Sequence, residues 1–210
     1  MLRLFHRLMD IGWVYRFAQL FGRPTVQRYR TLIQKHVPQS PDRRVLEIGC
    51  GVGSSRPLFA ADYTGIDINP DYIRIARQTL TGAFEVMDAS RMSFAPDSFD
   101  DAVSIATGHH LSDAQLAAMI RKATGVAATL HIIDSILPVS AHAHFKRALF
   151  RMDRGQHVRS FGDLRAVVAT NARLHEQEIL TGPMHDVCYL RASRLEPPGE
   201  AGLTLSHRDC

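Results

Sequence analysis

Residues 45–53 read VLEIGCGVG, and this stretch decides the fold. The first four residues have the apolar character of a short buried strand. The glycines at positions 49, 51 and 53 then permit a tight strand-to-helix turn and let a ligand lie against bare backbone. Exposed N–H groups at the start of the next helix favour a polar ligand that carries a carboxylate. The stretch therefore predicts a ligand site, although the glycine run alone leaves a purely structural turn as the alternative.

Three acidic residues stand at the ends of the first three predicted strands. Glu47 lies two residues before the first glycine, where a cationic ammonium is its natural partner. Asp67 ends the second strand, where an acid can accept hydrogen bonds from both hydroxyls of a ribose. Asp88 follows the third strand and can accept a hydrogen bond from an adenine amine. Each acid alone is more often a helix cap or a surface charge, but their common placement at strand ends indicates a nucleoside-bearing ligand.

The rest of the chain alternates between strand and helix patterns after residue 44. This alternation predicts an α/β domain with a mainly parallel, doubly wound sheet. Two segments within residues 174–192 are expected to close it as an antiparallel hairpin. Residues 1–40 are predicted to form an N-terminal helical cap with an apolar stripe, residues 41–194 the α/β domain, and residues 195–210 a flexible tail.

Composition is that of an ordinary soluble domain: 210 residues, 45% hydrophobic and 22% charged. The three cysteines are far apart and lack metal-ligand spacing, which disfavours a zinc site and favours a reducing, cytoplasmic compartment. No stretch approaches a membrane span, and no secretory signal is convincing. Residues 1–44 hold nine Arg or Lys against two Asp. This basic arm can face an anionic substrate, a nucleic acid or a lipid surface, or it is simply a solvated helix face.

Taken together, these motifs resemble the class I S-adenosylmethionine-dependent methyltransferases. The resemblance is close over about residues 40–135 and is carried by residues 46–53, 63–70, 87–89 and 98–113. It implies a doubly wound, seven-stranded, Rossmann-like methyltransferase sheet with a C-terminal antiparallel hairpin. One departure is the short segment between Gly53 and Asp67, which is expected to trim the first helix without touching the ligand contacts.

The resemblance also implies the cofactor, S-adenosyl-L-methionine, and residues that bind it. The first acid is expected to hold the methionine amino group, the glycine run to lie under the cofactor, the second acid to bind the ribose, and the third to bind the adenine. Two further residues are expected to line the adenine and one to meet the methionine end. In that order, the predicted cofactor residues are Glu47; Gly49, Cys50, Gly51 and Gly53; Asp67; Asp88; Ile68 and Ala89; and Ala106.

Methyl transfer is an in-line displacement from a sulfonium, so the protein mainly aligns the nucleophile, excludes water and, where needed, removes a proton. His109 and His110 follow the fourth strand and are the candidates for proton transfer, although such a pair can also only pack or bond a loop. Trp13 and Tyr15 in the cap are expected near the acceptor. Arg154 and Arg159 are candidate clamps for an acceptor carboxylate or phosphate, with surface salt bridges as the alternative. No metal site is expected.

The predicted function is methyl transfer to a small-molecule acceptor, with a lipid or secondary metabolite included. Two alternatives remain: a methyltransferase-like binding protein without turnover, and an NAD-type oxidoreductase, which the acidic Glu47 disfavours because it would repel a pyrophosphate. No nucleic-acid partner is expected, because no binding module is recognisable. The sequence leaves three questions open. They are whether residues 2–21 make peripheral contact with a membrane, whether the protein is a monomer or a homodimer, and which atom is methylated.

Overall fold

A computed structural model describes residues 26–139, 157–182 and 186–196 of the chain. Several sequence predictions lie outside these ranges. They are the cap residues Trp13 and Tyr15, the candidate clamp Arg154 and the tail beyond residue 196.

The described residues form a single seven-stranded sheet with the strand order β3-β2-β1-β4-β5-β7-β6. Strands β1 to β5 are parallel, while β7 runs antiparallel to both β5 and β6. This arrangement confirms the predicted doubly wound α/β sheet with a C-terminal hairpin. The strands are β1 (Arg44–Ile48), β2 (Asp62–Asp67), β3 (Ala83–Val86), β4 (Phe99–Ile105), β5 (Ala127–Ile136), β6 (Arg173–Leu180) and β7 (Asp186–Ser193).

Four helices pack on this sheet: α1, described over residues 26–36, α2 (Pro70–Thr79), α3 (Asp113–Val126) and α4 (Phe161–Asn171). A side-chain cap begins each of the last three. The side chains of Asn69, Ser112 and Ser160 each accept a hydrogen bond from an N–H group in the first turn. Gln115 completes a reciprocal capping box with Ser112. These contacts satisfy donors that have no partner within the helix.

Two further elements shape the edge of the sheet near the predicted site. Strand β5 continues three residues beyond Ile133, because its ladder with β7 extends to the pair Ile136 and Asp186. The extension brings Asp134 and Ser135 into the sheet. After the glycine run, the chain forms only a 3-10 turn at Arg56–Leu58.

The sheet is buried on both faces by two apolar layers. Leu46 and Ile48 point into a layer with residues of α3 and α4, while Val45 points into the other layer. Leu32 and Ile33 of α1 are fully buried in that second layer, so α1 packs directly on the sheet. This burial on both faces explains why Val45, Leu46 and Ile48 of β1 are all apolar.

Polar contacts fix the described part of α1 at two places. Near its end, Lys35 Nζ and His36 Nε2 lie 2.8 and 2.6 Å from carboxylate oxygens of Glu178 on β6. These two neighbours hold the pKa of Glu178 below its usual range. Towards its start, the Tyr29 hydroxyl lies 2.7 Å from Ser135 Oγ at the carboxyl end of β5. Helix α1 therefore reaches the same edge of the sheet as the predicted site.

Candidate functional site

The glycine turn after β1 has a backbone that side-chain-bearing residues rarely adopt. Gly49, Gly51 and Gly53 have φ angles of +75°, +55° and +80°. A Cβ at Gly49 would overlap Thr107, and one at Gly53 would overlap Leu80. A Cβ at Gly51 would meet no atom within 4 Å, so this glycine presents bare backbone to open space. Of the three glycines, Gly51 offers the clearest surface for a ligand.

Asp67 closes one side of this turn. Its Oδ2 accepts a hydrogen bond of 2.9 Å from Gly51 N–H, and its Oδ1 accepts one of 2.8 Å from Asn69 N–H. Each carboxylate oxygen has a further lone pair. The side chain is partly exposed, so a ligand with a pair of hydroxyl groups can reach it.

Asp88 follows β3 on the same edge of the sheet. Its Oδ1 accepts hydrogen bonds from Ser90 N–H and Ser90 Oγ at 2.8 and 2.7 Å. These bonds lower the pKa of Asp88 from its ordinary value, so the carboxyl is ionised at neutral pH. Its Oδ2 lies 3.9 Å from the guanidinium of Arg91. The position suits an acceptor for a ligand amine.

An apolar surface lies between these two acids. Ile68, directly after β2, is 70% exposed, which is unusual for a large apolar residue at the end of a central strand. Ala89 is partly buried beside Asp88. A flat ring such as adenine would cover such a surface.

The end of β4 carries backbone strain. Ala106 has a φ of +50°, and its N–H donates to Ile133 O at 2.8 Å. A non-glycine residue in the left-handed region costs free energy and tends to occur at functional sites. Thr107 Oγ1 then donates to Ile48 O at 3.2 Å and lies against Gly49, which ties the end of β4 to the glycine turn.

Glu47 lies behind the glycine turn and is only 2% exposed. The Tyr63 hydroxyl donates a 2.5 Å hydrogen bond to its Oε2. Burial raises the pKa of Glu47 to about 7, hydrogen bonds from Tyr63 and Ser55 oppose that shift, and the charge of Asp67 adds to it. Cys50 is buried in the neighbouring apolar layer, and its thiol pKa is raised to about 12, chiefly by burial. Its side chain is thus part of the core, leaving only its backbone for a ligand.

Tyr63 is a site residue that the sequence reasoning missed. Gly65 pairs with Glu47 in the sheet, and a Cβ there would lie 3.0 Å from the Tyr63 hydroxyl. The glycine thus leaves room for the hydroxyl to reach the carboxyl. In the sequence, Gly65 opposite Glu47 was the signal that could have pointed to Tyr63.

The two candidate histidines stand in a 3-10 turn, Gly108–His110, with ring centroids 4.1 Å apart. His109 is buried and His110 is exposed. His109 Nδ1 lies 2.5 Å from Asp134 Oδ1, and the His109 N–H donates to Asp134 Oδ2 at 3.0 Å. The sequence analysis did not single out Asp134, which the last part of β5 places beside this turn.

The hydrogen bonds of Arg159 do not support its predicted role as an acceptor clamp. Its guanidinium donates to Asp113 Oδ1 at 2.8 Å and to the carbonyl oxygens of Gly108 and Leu111 at 2.9 and 2.6 Å. Its side chain is only 9% exposed. These bonds hold the 108–111 loop, and the salt bridge to Asp113 agrees with the alternative interpretation.

The remaining predicted residues meet at one edge of the sheet. The strand order reverses between β1 and β4, and ligands of open α/β sheets bind in the crevice at such a switch point. The glycine turn and Ala106 flank this point, with Asp67 and Asp88 at the ends of β2 and β3. In the described ranges, no group of three or more His, Cys, Asp or Glu could hold a metal ion. No helix there is long and apolar enough to cross a membrane.

Part of the chain is similar to known methyltransferases. Residues 45–129 match the family model described as "Methyltransferase domain". The chain is 38% identical over 81 residues to 2-methyl-6-phytyl-1,4-hydroquinone methyltransferase of Synechocystis, covering 35% of this chain and 26% of that protein. It is 31% identical over 119 residues to ajmaline N-methyltransferase of Rauvolfia serpentina, covering 51% and 38%. The alignments thus span well under half of both relatives.

A solved S-adenosylmethionine-dependent methyltransferase from Methanosarcina mazei has the same fold. It superposes with a TM-score of 0.62 at 22% identity, covering 77% of this chain and 97% of that one. Residues 45–129 thus match a methyltransferase domain, and the described sheet has the fold of the class I S-adenosylmethionine-dependent methyltransferases. S-Adenosylmethionine is the cofactor of this class.

Gly51→Ala should separate folding from cofactor binding. The new methyl group meets no atom of the protein within 4 Å, so the fold should survive the modest cost of an alanine at positive φ. The methyl group would stand where the cofactor is predicted to lie, so overpacking of about 1–3 kcal/mol should weaken binding of S-adenosylhomocysteine by at least about tenfold in calorimetry. Gly125→Ala, equally free of neighbours but within α3, is the matched control. Equal affinity of both variants would contradict the placement of the ligand over Gly51.

Proposed function

We propose that this chain transfers the methyl group of S-adenosylmethionine to a small-molecule acceptor. The supporting observation is the pair of partly exposed carboxylates, Asp67 and Asp88, beside the open backbone of Gly51. Hydrogen bonds from backbone N–H groups fix both carboxylates, so they are oriented before a ligand arrives. Such pre-organisation lowers the entropic cost of binding.

The chain's residues fit the cofactor part by part. Asp67 accepts from the ribose hydroxyls, Asp88 accepts from the adenine amine, and Ile68 with Ala89 covers the adenine faces. Ala106 meets the methionine end beside the glycine turn. Glu47 is too buried to make extensive contact with the cofactor. Its charge therefore acts on the methionine ammonium from behind the glycine turn.

A small organic acceptor is favoured by the names of the relatives. The cyanobacterial relative is named for a phytylated hydroquinone, and the plant relative for N-methylation of ajmaline. Residues Trp13, Tyr15 and Arg154 remain proposed acceptor contacts, and the segment before α1 is proposed to roof the site. We propose a cytoplasmic enzyme whose acceptor is an apolar ring compound that carries a nucleophilic group.

Calorimetry and a turnover assay test the proposal together. S-Adenosylmethionine and S-adenosylhomocysteine should bind in the micromolar range, with NAD at least about tenfold weaker, because Glu47 and Asp67 suit a cation and a ribose rather than a pyrophosphate. Methyl-tritiated cofactor should label 2-methyl-6-phytyl-1,4-hydroquinone or a secondary-amine probe, and the product should be seen by mass spectrometry.

The control is the same assay with Asp67→Ala at equal protein concentration. Tighter binding of NAD would contradict the cofactor assignment. Normal binding of S-adenosylhomocysteine without transfer to any acceptor in a broad metabolite extract would favour a binding protein that lacks turnover.

A further inference from the structure

A polar cavity of about 360 Å³ lies away from the candidate functional site. It is found beyond the end of α1, over the starts of β4 and β5. Asp101, in its lining, is near the start of β4, whereas Ala106 directly follows the end of that strand. At about 3.3 Å per residue the two are roughly 16 Å apart. This distance separates the cavity from the place proposed for methyl transfer.

The floor of the cavity is a polar part of the sheet. Towards the carboxyl edge the same face is apolar, because Val103 and Ile133 pack in the layer that contains α1. At the other edge, His131 on β5, Arg191 on β7 and Glu176 on β6 stand in one row across the three strands. Residues opposite each other in antiparallel strands project from the same face. The sheet therefore presents charged and polar groups to this cavity.

Asp101 is a buried carboxylate that orients a cation in the cavity wall. It is 1% exposed. Arg43 Nε donates to its Oδ2 at 2.6 Å, Arg43 Nη2 lies 2.6 Å from the same oxygen, and His131 Nε2 lies 3.1 Å from Oδ1. Because a buried carboxylate is costly unless it is paired, these contacts hold the guanidinium in place. Arg43 Nη1 has no hydrogen-bond partner in the ranges that the structure describes, so it can donate to a ligand.

Two further cations reach the cavity from other elements. Arg191 is partly exposed, and its Nε donates to Glu176 Oε2 at 3.1 Å. Its two terminal nitrogens form no hydrogen bond within the described part of the chain. Lys35, near the end of α1, is exposed, and its Nζ lies 2.8 Å from a carboxylate oxygen of Glu178. Lys35, Arg43 and Arg191 thus come from three separate segments and line one cavity.

Carboxylates balance these cations only in part. Asp101 and Glu176 line the cavity, and Glu178 pairs with Lys35 beside it. Asp101 is enclosed by its own partners, whereas Glu176 is partly exposed. The accessible lining therefore holds three cationic side chains against the single carboxylate of Glu176, which favours an anionic ligand.

We propose that this cavity binds the phosphate group of a small soluble compound, with the guanidinium groups of Arg43 and Arg191 as its main donors. A guanidinium group presents its donors in a planar fork that matches phosphate oxygens, and it is less strongly hydrated than an ammonium. A phosphate monoester carries a charge of about −1.5 to −2 at neutral pH, which suits three cations opposed by one accessible carboxylate better than a single carboxylate does. The cavity volume lies at the lower end of the range of about 300–1,000 Å³ for small-molecule sites.

Calorimetric titration of the full chain with inorganic phosphate and with glycerol phosphate tests this site at constant ionic strength. Both compounds should bind with a dissociation constant of about 1 mM or below. Arg191→Gln should weaken binding at least about tenfold, because charge-assisted hydrogen bonds to the guanidinium are lost. Arg173→Gln is the matched control: it removes the same charge from an exposed position on β6 that pairs with Glu196 outside the cavity, and it should weaken binding less than twofold.

A change of opposite sign separates a built site from a general effect of charge. Glu176→Gln removes the accessible carboxylate and frees Nε of Arg191, so phosphate should bind at least about threefold more tightly. In NMR spectra of the wild-type protein, the Nε–H signals of Arg43 and Arg191 should shift on saturation with phosphate, which locates the site even if a variant fails to fold. Affinity for S-adenosylhomocysteine should stay within twofold in every variant, because the cofactor site lies at the other edge of the sheet.

The results that contradict the proposal are distinct. Equal losses in Arg191→Gln and Arg173→Gln would overturn it, because the attraction would then be to the net charge of the protein. Unshifted Nε–H signals at saturating phosphate would do the same. Cosedimentation with phosphatidylcholine vesicles that contain phosphatidic acid, lost in Arg191→Gln and without binding of the two soluble phosphates, would show that the phosphate belongs to a lipid headgroup and would overturn a soluble ligand. Failure of S-adenosylhomocysteine to bind would contradict the proposed function and leave the phosphate titration to decide this site.

Discussion

Asp67→Ala should weaken binding of S-adenosylhomocysteine by about 100-fold while the protein remains folded. The carboxylate is proposed to accept two ribose hydrogen bonds, and hydrogen bonds to charged groups contribute about 1.5–3 kcal/mol each. It also accepts the Gly51 N–H, so its loss releases the turn on which the cofactor lies. Isothermal calorimetry measures the affinity, and circular dichroism checks the fold.

Asp71→Ala is the matched control for this variant. Asp71 stands four residues later in the first turn of α2, with a side chain that is 77% exposed and only loosely paired with Arg74. Its removal should change the affinity less than twofold. An unchanged dissociation constant in Asp67→Ala would show that another residue holds the ribose.

Replacement of Glu47 by Gln should change the pH dependence of stability. Burial raises the pKa of Glu47 from 4.5 to about 7, so the folded protein binds this proton more tightly than the unfolded chain does. The protonated carboxyl therefore stabilises the fold fully below about pH 4.5, and this contribution is lost as pH rises towards 7. Between pH 5.5 and 8, the wild-type protein should lose about 2 kcal/mol relative to Glu47→Gln.

Urea denaturation of both proteins across this range measures the difference. Subtracting the two curves removes the contributions of Asp88, Asp100 and Glu178, whose pKa values are lowered and whose effect has the opposite sign. Parallel curves for the two proteins would show that Glu47 is ionised throughout.

The same carboxyl should make cofactor binding depend on pH. A cationic methionine end favours the ionised form of Glu47, which makes up about a tenth of the molecules at pH 6 and about three quarters at pH 7.5, given a pKa of about 7. Affinity for S-adenosylhomocysteine should therefore rise about eightfold over this range. In Glu47→Gln the affinity should be lower and nearly constant.

Local sequence patterns were sufficient for the fold class and for the cofactor side of the candidate site. The glycines at 49, 51 and 53, the acids at 67 and 88, and the caps Asn69 and Ser112 each act through neighbours within a few residues. Backbone conformation and strand ends are set by such short-range patterns. The carboxyl ends of parallel strands meet at one edge of a doubly wound sheet, so Asp67 and Asp88 could be assigned to one site from the sequence alone.

The acceptor side depended on contacts between distant parts of the chain. Asp134 reaches His109 across 25 residues because β5 pairs in register with β4 and continues along β7. Arg159 was predicted to bind an acceptor, but its partners on the 108–111 loop are visible only after the loop packs against it.

The sequence by itself determined where the chain turns, where its strands end and which charges stand at those ends, because these are properties of short segments. Only the tertiary structure decided the burial that raises the pKa of Glu47, the pairing of His109 with Asp134 and the hydrogen bonds of Arg159. The physical reason is that burial and hydrogen-bond partners arise from the register and packing of segments that are far apart in sequence.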